Sequence, residues 1–364
     1  MTTPAAPLAQ LLQESASHRV GGDVLVHLEE EFGVQAEAWL VDYRQTRLTA
    51  LLGGDEVGVD DSWLGRCFAS QSVERHGGST AFPMTVRGDR IGVLEVATEN
   101  ADEEHGRLAG LLAQAIAAIG STTTVYEQRR RQQEMTVAAE LQWALLPGQS
   151  YGDDDLTVAG MLVPAYAIAG DAYDWTRDSS LVHLAVLDGM GRGVPASLAT
   201  TLALGALRNA RFTTSSLPEQ AALADQAIYS HHGGESFTSA LLLQLDVLSG
   251  RVTVVDAGSP ALYRQRNGKV EHLGLDAQLP LGMFEETHYV EQDVDILPGD
   301  RVLIVSDGVH TTDLDVEHAL RDGRLLTPAE VCRHLVRTLR PTWGDAGPRD
   351  DAVVVCLDWH PGQV

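Results

Sequence analysis

The chain has 364 residues, 44% of them hydrophobic, and carries 51 acidic against 26 basic side chains for a formal net charge of -25. That length exceeds one ordinary core and predicts two domains, while the charge excludes non-specific attraction to a phosphate backbone, so nucleic acid is not an expected partner. Cys67, Cys332 and Cys356 are scattered, which suits neither a disulfide framework nor a zinc site and predicts a reducing, cytoplasmic setting.

The opening "MTTPAAPLAQ" has no basic region ahead of an apolar one, so no leader is expected. "LAQLLQ" and "GDVLVHLEEEF" read as helices. "AEAWLVDY", "TAFPMTV" and "RIGVLEVAT" have the β-branched and aromatic enrichment of strands, with "VRGDRIG" as a hairpin turn. This order predicts a small α+β domain ending near residue 100, in which Trp39, Trp63 and Phe68 belong to the core.

From Arg107 the apolar positions Leu108, Leu111, Leu112, Ala115, Ile116 and Ile119 recur at helical spacing. The pattern resumes at Val137, Ala138, Leu141 and Leu145 and stops at Pro147 and Gly148. "YEQRRRQQEM" between them holds no helix breaker, so residues 107–146 read as one long helix or as two, with Arg129, Arg130 and Arg131 on a solvated face. The apolar stripe predicts a homodimer. The longest apolar stretch, "LAGLLAQAIAAIG", is too short to span a bilayer, so no membrane association is expected.

Beyond residue 155, strand-like runs stand at "LTVAGMLVPA", "LVHLAVLDG", "TSALLLQLDV", "RVTVVDAG", "DRVLIVSDG" and "DAVVVCLDW". Helical patterns stand at "PASLATTLALGALRNA", "PEQAALADQAIYS" and "TPAEVCRHLVRTL". Short turns such as "VLSGR" and "LPGD" join many of the strands, which predicts hairpins and antiparallel sheets with helices on the outer faces.

Several of these runs end or begin at aspartate: Asp171 and Asp174 in "AGDAYDW", Asp188 in "AVLDGMG", Asp307 in "IVSDGV", and Asp350 with Asp351 in "PRDDAVVV". A single Asp-Gly is a turn signal. Several carboxylates gathered at strand ends repel one another and resist ionisation unless a hard divalent cation lies between them, and all-oxygen ligation favours Mg²⁺ or Mn²⁺. Glycine after Asp188 and Asp307 lets backbone approach such a cation. Two such ions bind a phosphate and supply a nucleophile from water at neutral pH. No nucleophile elbow, Walker loop or dinucleotide fingerprint competes with that reading, and His231 and His232 are expected in a surface loop.

"AAELQWALLP", "AGDAYDW", "LDGMGRGVPA", "FTSALLLQLDVLSGRVTVVDAGSPALY", "PLGM", "LPGDRVLIVSDGV" and "RDDAVVV", in that order, resemble the SpoIIE-type branch of the metal-dependent protein phosphatases, relatives of protein phosphatase 2C. The resemblance implies a fold of class α+β, with an α-β-β-α sandwich of two antiparallel sheets flanked by helices. It also implies two Mn²⁺ or Mg²⁺ ions and attack of an activated water on phosphoserine or phosphothreonine. Carried over by residue, Asp171 and Asp350 resemble terminal metal ligands, Asp188 the bridging carboxylate, Gly189 a carbonyl ligand and Asp307 the third carboxylate, with Asp351 a neighbouring acid. Asp174 is expected to be structural. The chain departs from the family at Ala169, where a glycine is usual, and at Ser259, where "AGHP" is usual; neither is an expected ligand.

Less specifically, the first hundred residues resemble a GAF domain. Residues 1–120 are thus expected to form a sensor or dimerisation domain open to a small-molecule or protein signal, 121–148 a helical linker, and 149–364 the phosphatase. The predicted function is a sensor-regulated serine/threonine protein phosphatase acting on a phosphorylated protein, for which the resemblance implies an anti-sigma factor antagonist. The alternative is a phosphatase-shaped scaffold that binds a partner without hydrolysis.

Overall fold

A computed structural model describes residues 5–120, 122–131, 136–163, 170–191, 193–214, 216–312, 314–343 and 350–360. The chain divides into two compact units, Met1–Glu134 and Met135–Val364.

In the first unit, helices α1 (Ala5–Glu14) and α2 (Val20–Phe32) precede strands β1 (Ala36–Val41), β2 (Arg47–Ala50) and β3 (Glu56–Gly58). Helix α3 (Trp63–Ser70) and strands β4 (Glu74–His76), β5 (Ser79–Val86) and β6 (Asp89–Val96) follow, then α4 (Glu103–Ile119) and α5 (Val125–Arg130). The strands form one antiparallel sheet in the order β3-β2-β1-β6-β5-β4. Period-two alternation sorts its side chains: Ala38 and Leu40 of β1 join α2 and α4 in one apolar cluster, while Trp39 and Val41 join Leu64, Cys67 and Phe68 of α3 in another. Phe68 is fully buried and Trp63 packs against that second cluster, so all three expected aromatics belong to the core. The "VRGDRIG" turn is a two-residue hairpin whose Arg87 and Gly88 both have positive φ, matching the right-handed twist of the strands it joins.

Residues 107–146 do not form one helix. Asp102 and His105 cap α4 reciprocally, and α4 ends before the Gly120 and Thr122–Thr124 segment, where glycine and β-branched residues disfavour helix. Arg130, expected in solvent, donates through Nε to Val41 O at 3.1 Å and lies over the Tyr43 ring.

The second unit begins with α6 (Val137–Leu145), β7 (Ser150–Gly152), β8 (Leu156–Val163), β9 (Ala172–Asp178) and β10 (Leu181–Gly189). Helices α7 (Val194–Ala210) and α8 (Leu217–His232) lead to β11 (Thr238–Asp246), β12 (Val252–Ala257), β13 (Ala261–Arg266), β14 (Lys269–His272), β15 (Gln292–Asp293) and β16 (Arg301–Val305). Helices α9 (Asp307–His310), α10 (Val316–Asp322) and α11 (Pro328–Trp343) precede β17 (Ala352–Trp359). Two antiparallel sheets result, β15-β12-β11-β10-β9 and β14-β13-β16-β17-β8-β7.

Leu184, Leu243 and Val254 of one sheet meet Leu162, Ile304 and Val355 of the other in the central core. Ala203, Leu207, Ala221 and Ile228 of α7 and α8 cover the outside of the first sheet. Val331, Leu335 and Leu339 of α11 cover the outside of the second. The architecture is thus the expected α-β-β-α sandwich. Covering both faces explains why β8, β10 and β17 read as continuous apolar runs rather than alternating ones. His231 and His232 are the last residues of α8 rather than part of a loop.

His183 on β10 is buried on the helix side of its sheet, with Nδ1 lacking a hydrogen-bond partner. Burial, with the Arg211 guanidinium nearby, pushes its imidazole down to about 4. Between pH 6.5 and 4 the unfolded chain therefore takes up a proton that the folded chain refuses, so this contribution is complete above pH 6.5 and is lost as pH falls through the window. Urea unfolding at neutral and acid pH is expected to show that His183→Gln removes about 3 kcal/mol of the wild-type acid sensitivity.

Candidate metal centre

The site arises where one strand pair from each sheet ends. In the β9–β10 hairpin Ala172 pairs with Leu187, so the next positions outward, Asp171 and Asp188, stand side by side. In the other sheet Val305 pairs with Val354, which brings the start of α9 next to Asp351; a Cβ on Gly308 would collide with Asp351 O, so only glycine allows that approach.

Asp171 is buried, and its Oδ2 has no hydrogen-bond partner. Burial, then the carboxylates of Asp188, Asp351 and Asp307, push its carboxyl well above the usual carboxylate range. The Asp188 carboxylate is the strongest like charge acting on Asp171, so the pair resists double ionisation. Burial also raises Asp188, opposed by a bond from the Ser259 hydroxyl. Asp307, first residue of α9, is pushed up to about 6 by burial and by Asp188 and Asp350.

Gly189 N donates to Gly170 O at 3.1 Å. A Cβ on Gly170 would lie 2.6 Å from Gly189 O and one on Gly189 would lie 2.6 Å from Gly170 O, so neither glycine tolerates a side chain.

The adjacent acids of the last strand separate. Asp351 is fully buried, and its Oδ2 accepts Gly170 N at 3.0 Å, Asp171 N at 3.3 Å and Gln142 Nε2 at 3.0 Å. Asp350 is exposed, and its Oδ1 accepts Asp351 N at 2.9 Å. Asp174 points elsewhere, to Arg208 Nη2 and Arg211 Nη1, each at 2.7 Å. Breaking this buried group is expected to cost about 3 to 5 kcal/mol; Asp174→Ala should lower the unfolding midpoint while leaving cation affinity intact, as calorimetry would show.

Sequence reasoning assigned no role to Gln142, which also donates to Asp171 O, or to Thr200, whose hydroxyl donates to Gly170 O. Nor did it assign one to Ser306, whose hydroxyl opposes the rise of the Asp171 carboxyl and accepts Val353 N at 3.0 Å. Ser259 gave one signal, as the residue standing where histidine is usual. Ala169, the other departure, lies outside the described residues.

Among the described residues no group of three or more His, Cys, Asp or Glu side chains forms a ready-made metal site. The donor set nevertheless fits a hard divalent cation: it is all oxygen, includes a buried carboxylate oxygen with no partner, and forces like charges together.

The class so defined is an α-β-β-α sandwich with aspartates of both sheets meeting at one end. The chain belongs to the Stage II sporulation protein E (SpoIIE) family, whose model matches residues 178–360. Phosphoserine phosphatase RsbU of Bacillus subtilis (strain 168) is 24% identical over 191 residues, 50% of this chain and 55% of its own length. Phosphoserine phosphatase RsbP of the same organism is 26% identical over 148 residues, 39% of this chain and 36% of its own. The chain thus spans about half or less of these curated relatives. In fold, the SiaA-PP2C domain of Pseudomonas aeruginosa is similar, with 22% identity, a TM-score of 0.51, and coverage of 61% of this chain and 93% of that one. Among the described residues no helix is long and apolar enough to cross a membrane.

Proposed function

We propose that this chain is a divalent-cation-dependent serine/threonine protein phosphatase. The observation that carries the reading is the pair Asp171 and Asp188, held side by side with a buried Asp171 oxygen that has no partner. Asp171, Asp188, Asp307, Asp350 and the Gly189 carbonyl are the residues that would hold two Mn²⁺ or Mg²⁺ ions. Such cations supply charge neutralisation for a phosphoryl group and acidify water. The protein's own part is to fix the donors: Asp351 clamps the Gly170–Asp171 backbone, and Ser259 orients Asp188.

The two relatives named phosphoserine phosphatases support a phosphoserine protein as substrate, and an anti-sigma factor antagonist is the class we propose. Residues 1–120 serve as a GAF-like sensor or dimerisation domain and 121–148 as a linker; the domain receives a small-molecule or protein signal, and the protein acts as a cytoplasmic homodimer. The scaffold alternative draws on the lack of a ready-made metal site among the described residues. Phosphate release from a phosphoserine protein and from a small phosphoester, with Mn²⁺, Mg²⁺ or chelator, decides between them. Cation-dependent release from the protein substrate supports the phosphatase, and binding without release under every condition supports the scaffold.

A further inference from the structure

Ser259 lies in the crossing between the sheets: β12 ends at Ala257 in one sheet and β13 begins at Ala261 in the other. The crossing is tightly built. Gly258 has φ +133, and a Cβ there would lie 2.7 Å from Ser239 Cβ, on the residue that pairs with Asp188 across β10 and β11. Gly258 N also donates to Asp256 Oδ1 at 3.0 Å, which fixes the chain entering Ser259. From this position the Ser259 hydroxyl donates to Asp188 Oδ2. Its carbonyl oxygen accepts His310 Nε2 at 2.9 Å, and His310 is the last residue of the short helix that opens with Asp307.

One residue therefore ties the carboxylate at the end of β10 to the helix that carries Asp307, and the two come from opposite sheets. We propose that Ser259 is a positioning residue for divalent-cation binding: its hydroxyl sets the rotamer of Asp188, and its backbone keeps the Asp307 helix in register with it. A serine hydroxyl both donates and accepts. It can hold Asp188 Oδ2 in the cation-free protein and remain bonded to the same carboxylate once that carboxylate ligates. Groups that orient metal ligands in this way change metal affinity by about 10- to 100-fold when removed.

The proposal rests on the metal-centre reading above, and the test separates the two. Mn²⁺ is titrated into the full chain by calorimetry and by the loss of its free-ion electron paramagnetic resonance signal, for the wild type, Ser259→Ala and Ser259→Thr, with unfolding midpoints in chelator measured alongside. The expected result is Mn²⁺ affinity at least about 10-fold weaker in Ser259→Ala, restored in Ser259→Thr, with the three midpoints in chelator unchanged. Equal affinity in the wild type and Ser259→Ala overturns the role of Ser259 and leaves the metal centre standing. A midpoint in chelator that falls in parallel with affinity assigns Ser259 to the fold and also overturns the proposal. A wild type that binds no Mn²⁺ overturns both readings together.

Discussion

Asp188→Ala is expected to abolish cation-dependent phosphate release, by more than about a hundredfold. Removing a group that only orients a ligand costs up to about that much, and Asp188 is a ligand in this reading. It also stands where Asp171, Asp350, Asp351 and the Ser259 hydroxyl converge. Its loss removes a ligand and the anchor for the Ser259 hydroxyl in one step. Steady-state rates with a phosphoserine protein at saturating Mn²⁺ test this, with circular dichroism to confirm that the variant folds. An active variant would mean that Asp188 is a turn residue and nothing more.

The second large effect is on stability. Without a cation, Asp307 titrates near 6 and Asp171 well above the usual carboxylate range. Both carboxyls bind a proton more tightly folded than unfolded. The Asp307 contribution is therefore present below the unfolded value of about 4 and is lost as pH rises through about 6. For the half-buried Asp307 alone the loss is on the order of 1 to 2 kcal/mol after solvent screening, and Asp171 adds in the same direction. A cation at a hundredfold excess over its dissociation constant returns about 2.7 kcal/mol, and it competes with fewer protons at the higher pH. Scanning calorimetry in chelator and in Mn²⁺ should show a larger cation-induced rise in midpoint at pH 7.5 than at pH 5.5. Equal rises at both values would contradict the account.

Most of what positions the site was legible in the chain, because strands covered on both faces leave long apolar runs and an aspartate ends such a run visibly. Asp188 and Asp307 stand out for that reason. Other parts were hidden by geometry. In "RDDAVVV" neighbouring side chains point to opposite sides, and no pattern in the sequence sets the phase that sends Asp351 inward and Asp350 outward. Gln142 reaches Asp351 across 209 residues of chain, a contact that local periodicity does not encode. Strands β2, β3, β4 and β14 are three or four residues long, too short to show a period. The break after α4 depended on weak helix propensities that an apolar stripe resuming at Val137 concealed.

The most direct test of the central claim is anomalous diffraction from crystals of the full chain grown with Mn²⁺. The account predicts Mn²⁺ peaks among the carboxylates of Asp171, Asp188 and Asp307 and the carbonyl of Gly189. Crystals in which that end of the sandwich holds no peak would contradict it.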